Sequence, residues 1–471
     1  MSTAANALRQ GHLVLGATVR TLGAWPAGWR YPGAHRNPAD DPTELTRIAK
    51  AAEGAGLQFL YFGDWLATSA EFEHTDPYLL ARIEPFAAIS YLAAITSRIG
   101  LIATVSSSHS EPYSTARAAA SIDILSGGRV GLSVTSGAEA QSASNFGWRI
   151  VHSEADRIAA AGEFIEIMRR LWDSWHDGAF VADADSARLI NRAALHPVNY
   201  EGRLRSAAGP LNVVRPPQGH PPVAMVGAAE NARQLAAQAA DLCFVSPRSL
   251  DDAIVSYALA KRTATAAGRQ AEHYLLLSSI LPIVGETRED AWRIYDELVR
   301  LVPVEVVTGR GEADDLPPNR SVRSLAQVLG ISLNGITIDD VVSDAQALRF
   351  GAQGRYLIQE VGARSGRSIG AARGITFRHL LVAHAIVAPI IVGSPEDIAD
   401  YLEAWFRRRA VDGFTVLSAI TEQLEAFTDL VVPELRRRGL LPNEYVGTSL
   451  RDHLGMNVPS NYFGAHTPTR A

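Results

Sequence analysis

Ile99-Gly100-Leu101-Ile102-Ala103-Thr104-Val105 begins the stretch whose reading decides the fold; Pro112 to Leu125, Ser126-Gly127-Gly128 and Val130-Gly131-Leu132-Ser133-Val134-Thr135 follow it. The first and last runs are short and apolar with few charges, the pattern of a strand buried on both faces. The middle run starts on a proline, which suits the first turn of a helix, and stops at a glycine pair. Strand, helix, turn and strand at this spacing make a βαβ unit, and such a unit implies a parallel sheet.

The same rhythm extends in both directions. Further strands are expected at 12–19, 58–62, 223–226, 242–245, 275–284 and 414–417, with helices at 41–56, 85–97, 153–175, 228–240, 251–267, 288–302, 377–388 and 395–410. That makes eight strands alternating with helices, in the α/β class. The first strand is not followed by Gly-x-Gly-x-x-Gly. Eight units without that turn favour a closed (β/α)8 TIM barrel over a doubly wound sheet.

The chain has 471 residues, 47% hydrophobic and 20% charged, so disorder is excluded as its main state. An enlarged barrel accommodates this length as a single domain over 1–471. The enlargement is expected at 309–374, where Gly309-Arg310-Gly311, Pro317-Pro318 and Arg/Gly/Ser clusters read as a long loop or lid. A net charge of −6 gives no basic surplus for nucleic acid or an anionic membrane. Among 44 basic residues only Lys50 and Lys261 are lysines, a bias read as compositional. The single cysteine, Cys243, sits in the apolar run Leu242-Cys243-Phe244-Val245, which excludes an intrachain disulfide and a cysteine-rich metal site. It reads as a core thiol. No metal site is expected. Neither a secretory leader nor a run of about 18 apolar residues is visible, so a cytoplasmic protein is expected.

Active sites in such a barrel lie where the strands end. Asp64 follows the second strand. Thr104, Ser106, Ser107, Ser108, His109 and Glu111 end or follow the third, and Ser133, Thr135, Ser136 and Asn145 the fourth. Several small hydroxyls on one rim suit hydrogen bonding to a polar ligand in a cavity. They suit turn chemistry equally well, as Asp64 suits a cap and His109 a polar loop. There is no Gly-x-Ser-x-Gly elbow and no His-Glu-x-x-His.

Taken in order, a set of short segments resembles one family. They are Leu15-Gly16-Ala17, Trp29-Arg30-Tyr31-Pro32, the 99–104 strand with Glu111-Pro112-Tyr113, and Leu125-Ser126-Gly127-Gly128-Arg129. Asn145-Phe146-Gly147, Leu171-Trp172-Asp173-Ser174-Trp175, Pro217-Gln218-Gly219, Asp412-Gly413-Phe414 and Leu450-Arg451-Asp452-His453-Leu454-Gly455 continue the series. The family is the flavin-dependent monooxygenases of the bacterial luciferase-like superfamily, in the branch of nitrilotriacetate monooxygenase, dibenzothiophene-sulfone monooxygenase and pristinamycin IIA synthase. The resemblance implies a (β/α)8 barrel, a homodimer or homotetramer, reduced FMN, O2 and a separate NAD(P)H:flavin reductase. It also implies a small organic substrate, and a cofactor that supplies the reactive chemistry.

Carried over residue by residue, the resemblance places Asp64 and Thr104 at the flavin; Ser107, the turn Gly227, Ala228 and Ala229 through its backbone, and His152 as a substitute if the helix start is shifted, are further cofactor candidates. His109 and Asp64 are the catalytic candidates, and Trp29, Arg30 and Asn145 the substrate candidates. Several family positions are changed here. A His and a Tyr four apart become Glu154 and Ile158, and a phosphate-binding Ser becomes Ala229 with Ala232 after it. The fourth strand's Trp-Asn becomes Leu132-Ser133, and the following Thr-Ser becomes Ser136-Gly137. Lost hydroxyls and an added carboxylate weaken a phosphate grip. Backbone N–H groups of Gly227 to Glu230 remain as donors. Three readings therefore stay open: a monooxygenase that takes reduced flavin transiently; a barrel enzyme using another cofactor such as a deazaflavin, or none, with His109, Asp64 or Glu111 in acid–base work; and a non-catalytic small-molecule binder.

Overall fold

A computed structural model describes residues 9–70, 72–137, 140–147, 153–227, 229–247, 249–304, 321–386 and 389–465. Eight parallel strands form the barrel: β1 Val14–Thr18, β2 Phe59–Phe62, β3 Gly100–Ser106, β4 Val130–Thr135, β5 Val223–Val226, β6 Leu242–Val245, β7 Leu275–Val284 and β8 Gly413–Leu417. They pair in sequence order from β1 to β7, β8 lies between β7 and β1, and the β6–β7 pairing (Leu242 opposite Leu275) completes the ring. The eight expected strands are all present. Helices cover the wall: α1 Asp41–Gly54, α2 Pro85–Ile95, α3 Pro112–Ser126, α4 Glu154–Trp172, α5 Glu230–Ala239, α6 Leu250–Ala266 and α7 Pro395–Arg407, with the helical run from Thr421 to Arg437 after β8 completing the layer.

Side chains alternate between the two faces of each strand. Leu15, Leu60, Leu101 and Phe414 point outward into the helix layer. Phe59, Ile102, Leu242 and Leu275 point inward, where Leu450, Leu454 and Met456 of the C-terminal segment meet them and plug the floor. Two glycines make room for the plug: a Cβ on Gly100 would lie 2.4 Å from Leu450, and one on Gly131 3.0 Å from it. Gln218 donates to Asp123 (2.7 Å), and its carbonyl accepts from the Arg451 amide (2.9 Å), tying this segment to the wall. The Ser126-Gly127-Gly128-Arg129 turn is scaffolding of the same kind. Gly127 and Gly128 adopt positive φ, which an L side chain resists. They deliver the buried Arg129 guanidinium to the Thr96 hydroxyl and to carbonyls of Ala93, Thr96, Ile99 and Ser126.

The segment between β7 and α7 departs from expectation. Residues 321–386 are not a structureless loop; they hold helices Val322–Leu329, Ala352–Ser365 and Phe377–Ala385 around a core of Leu325, Leu329, Phe350, Leu357, Val361 and Phe377. Leu325 with Leu329, and Leu357 with Val361, stand four apart, so one face of each helix is apolar. Residues 309–320 of the expected insertion lie outside the described residues. Helix Arg288–Leu301 joins this subassembly to the barrel through Asp296, which accepts from Arg367 (2.7 Å), Arg373 (2.6 Å) and His379 (3.1 Å). These partners hold the Asp296 carboxyl far below its usual range despite the opposing effect of burial. A short strand, Ile390–Gly393, extends the sheet along the upper half of β7.

Candidate active site

The inward face of the barrel changes character toward the strand C-termini. Above the apolar floor, Thr18 and Thr415 share a hydrogen bond between hydroxyls (2.9 Å). Thr104 Oγ1 donates to the Tyr61 hydroxyl (3.3 Å), and the Tyr61 ring lies 4.6 Å from that of Phe244. Thr104 and Ser133 are register partners on β3 and β4, and Ser106 pairs with Thr135. Ser106 Oγ and Ser133 Oγ are buried and have no hydrogen-bond partner. A buried hydroxyl without a partner is costly, and two beside Thr104 mark where an arriving polar ligand would be held. Ser107 is committed differently: its hydroxyl donates to the Thr135 carbonyl (2.9 Å), closing the β3 turn. Ser106 and Ser133 are thus inward hydroxyls left without a protein hydrogen-bond partner. Both were visible among the rim hydroxyls, but strand parity alone separates them from Ser107.

Asp64 leaves β2 at the rim. Its Oδ1 accepts from the Trp65 amide (2.8 Å) and from Arg82 Nη2 (3.2 Å). Arg82 also donates to the carbonyls of Trp65, Tyr78 and Leu79. Tyr78 lies beneath two guanidiniums, those of Arg20 at 5.4 Å and Arg82 at 5.6 Å, and burial pushes its hydroxyl up to about 12. Neither Arg82 nor Tyr78 carries a motif, and the contacts that define them come from the folded loop.

His109 stacks on Phe146, with ring centroids 4.5 Å apart and planes 12° from parallel. One residue earlier, Asn145 donates to the Leu66 carbonyl (2.9 Å). The loops after β2, β3 and β4 are thus fastened to one another, and Asp64, Thr104, His109 and Asn145 share one mouth. The loop after β1 packs elsewhere. Trp25 is fully buried, donating from its indole to the Leu298 carbonyl (2.9 Å), and Arg30 donates to the Leu301 carbonyl (2.5 Å). Tyr31 meets Glu297 (3.2 Å), so this loop braces helix Arg288–Leu301. Trp29 is partly buried in the same loop.

At the start of α5, Gly227 N–H donates to the Phe244 carbonyl (3.0 Å), which removes it from the donors expected there. Ala229 is the N-cap and contributes no side-chain cap. Ala228 and His152 lie outside the described residues. Beside this turn a cavity of about 480 Å3 runs between β6 and α6, with Arg233, Ser246 and Tyr257 among its walls.

The luciferase-like monooxygenase family model matches residues 24–413. The chain belongs to the luciferase-like monooxygenases. It is 33% identical to N-acetyl-S-(2-succino)cysteine monooxygenase of Bacillus subtilis, over 97% of this chain and 99% of that protein. It is 34% identical to nitrilotriacetate monooxygenase component A of Aminobacter aminovorans, over 95% and 97% of the two chains. Among solved structures, a riboflavin lyase with modified FMN and substrate riboflavin superposes with a TM-score of 0.73 at 26% identity, covering 95% of this chain and 97% of that one. Among the described residues no group of three or more His, Cys, Asp or Glu is placed to hold a metal ion, and no helix is long and apolar enough to cross a membrane.

Proposed function

We propose that this luciferase-like monooxygenase is the oxygenase component of a two-component system. It takes reduced FMN from a separate NAD(P)H:flavin reductase and uses O2 to oxygenate a small organic substrate. The observation that supports this reading is the pair of unpartnered hydroxyls, Ser106 and Ser133, beside Thr104 on the inward face of β3 and β4. Flavin ring edges carry hydrogen-bonding N and O atoms, which the three hydroxyls suit. Reduced flavin supplies the electrons and the oxygen-activating chemistry.

The chain's own residues do the rest. The apolar floor of Phe59, Ile102 and Leu450 and the wall at Phe244 keep water out from below. Arg82 and the Trp65 amide hold Asp64 at the rim. Phe146 fixes the plane of His109, whose imidazole gives or takes a proton at the mouth. Asn145 holds the mouth closed on the Leu66 side. We assign the lid role to the helical insertion, within a single barrel domain. A homodimer or homotetramer in the cytoplasm fits the reading, and light scattering checks the assembly state.

Flavin titration followed by fluorescence tests the proposal. Binding of reduced or oxidised FMN below ~100 μM, where even a weak site of about −5.5 kcal/mol is filled, is expected. Failure of both forms to bind defeats it. Ser133→Val should weaken FMN about tenfold without loss of folding.

A further inference from the structure

Arg205 is a half-buried cation beside the turn that ends β3. A short hairpin carries it: Tyr200–Glu201 pairs antiparallel with Ser206–Ala207. The tip is braced on α4, where Glu163 accepts from the backbone N–H groups of Arg203 (3.0 Å), Leu204 (2.9 Å) and Arg205 (2.8 Å). Gly202 permits this approach, since a Cβ there would lie 2.6 Å from the Glu163 carboxylate. Held in this way, the Arg205 guanidinium lies over the Phe164 ring (5.3 Å), and its Nη2 donates to the Ser107 carbonyl. The Ser107 turn lies between Ser106 and His109 and is pinned to the carbonyls of Thr135 and Ser136 at the end of β4.

A guanidinium has five N–H donors. Arg205 Nε is buried without an acceptor, and Nη1 reaches none among the described residues. The carboxylates that act on Arg205 are Glu111 and Glu163. Glu163 is taken up by the hairpin amides, and Glu111 is exposed at the N-cap of α3. Burial holds the guanidinium below its usual pKa against both charges. A structural arginine in the same molecule looks different. Arg129 places its donors on the Ser126, Ile99, Ala93 and Thr96 carbonyls and on the Thr96 hydroxyl. A buried cation with open donors is costly until an anion completes it, and the planar fork of arginine matches the paired oxygens of phosphate and carboxylate.

We propose that Arg205 is an anion anchor, taking a phosphate or carboxylate group of the molecule held at the barrel mouth. The proposal rests on the flavin reading above for the ligand's presence there. It leaves two sources for the anion, the flavin phosphate and a carboxylate of the substrate.

The test uses the purified full chain and the variants Arg205→Gln and Arg205→Lys, with urea midpoints to establish folding. In the first arm oxidised FMN and riboflavin are titrated by flavin fluorescence. If the flavin phosphate is the anion, Arg205→Gln weakens FMN about tenfold and leaves riboflavin within about twofold, with Arg205→Lys between. In the second arm succinate, and succinamide as its uncharged counterpart, are titrated by calorimetry up to ~10 mM. If the anion belongs to the substrate, succinate binds the unaltered protein, succinamide does not, and Arg205→Gln loses about tenfold for succinate. The FMN-to-riboflavin ratio then stays unchanged. A purely structural arginine would move charged and uncharged ligands together. The proposal is overturned if Arg205→Gln alters neither the FMN-to-riboflavin ratio nor succinate binding. Should that variant fail to fold, Arg205→Lys without effect in both arms overturns it equally. If neither flavin binds at ~100 μM, the flavin reading falls, and the succinate arm still decides the anchor.

Discussion

His109 and Phe146 come from loops following different strands, yet their rings lie 4.5 Å apart and 12° from parallel. The stack sets the imidazole plane at the mouth of the barrel. A parallel aromatic pair contributes about 0.5–1.5 kcal/mol beyond its buried area. Phe146→Leu should therefore lower kcat/KM by about three- to tenfold, read from oxygen uptake with a flavin reductase. His109→Phe keeps the stack and removes the titratable group. Its loss should be larger, about a hundredfold, if the imidazole moves a proton. Equal activity of His109→Phe and the unaltered protein would remove His109 from the chemistry.

Arg82 and Asp64 are both largely buried and ion-paired. Replacing Arg82 with Leu leaves a carboxylate without its counter-charge and three carbonyls without a donor. We expect a loss of about 2–4 kcal/mol in urea unfolding, with Arg82→Lys recovering part of it. An unchanged midpoint for Arg82→Leu would show the pair to be dispensable.

His453 lies in the C-terminal segment that plugs the barrel floor. Burial, followed by the charge of Arg98, lowers its pKa from 6.5 to about 4. The unfolded chain then binds a proton between those values and the folded chain does not. Stability is complete above about pH 6.5 and falls as the pH drops toward 4, by up to about 3 kcal/mol. His453→Gln should flatten this part of the pH profile, measured as urea midpoints at pH 7 and pH 5. An identical slope in the variant would assign the dependence to other groups.

Cys243 faces outward from β6 and is buried under α5 and α6, where desolvation raises its thiol pKa. A buried, protonated thiol is a poor nucleophile. Ellman's reagent should label no thiol in the folded protein and one per chain in denaturant. Rapid labelling of the native protein would show that the helix layer opens.

The barrel was legible because each strand is a short apolar run bounded by glycine, proline or polar residues, as Val130–Thr135 is by Gly128 and Ser136. The helices inside the insertion were not read because the glycines that end them, such as Gly330 and Gly366, look like loop when taken singly. Asp64, Thr104 and Asn145 were singled out by their places at strand ends. Arg82 and Tyr78 were not, since their roles depend on how the loop after β2 closes. The distinction between Ser106 and Ser107 needed strand parity at the exit of β3, where one residue reverses a side chain's direction. Trp29 and Arg30 were substrate candidates; in the structure Trp25 and Arg30 of the same loop donate to the Leu298 and Leu301 carbonyls and brace helix Arg288–Leu301.

The floor plug ties the first half of the chain to the last. Gly100 and Gly131 leave hollows that Leu450 fills, so strands made early stay incomplete until residue 450 has been synthesised and has cleared the ribosome. During translation the nascent barrel carries an open apolar base, a surface for holding chaperones. A chain released short of the Leu450–His453 turn would keep all eight strands and lack the piece that seals them.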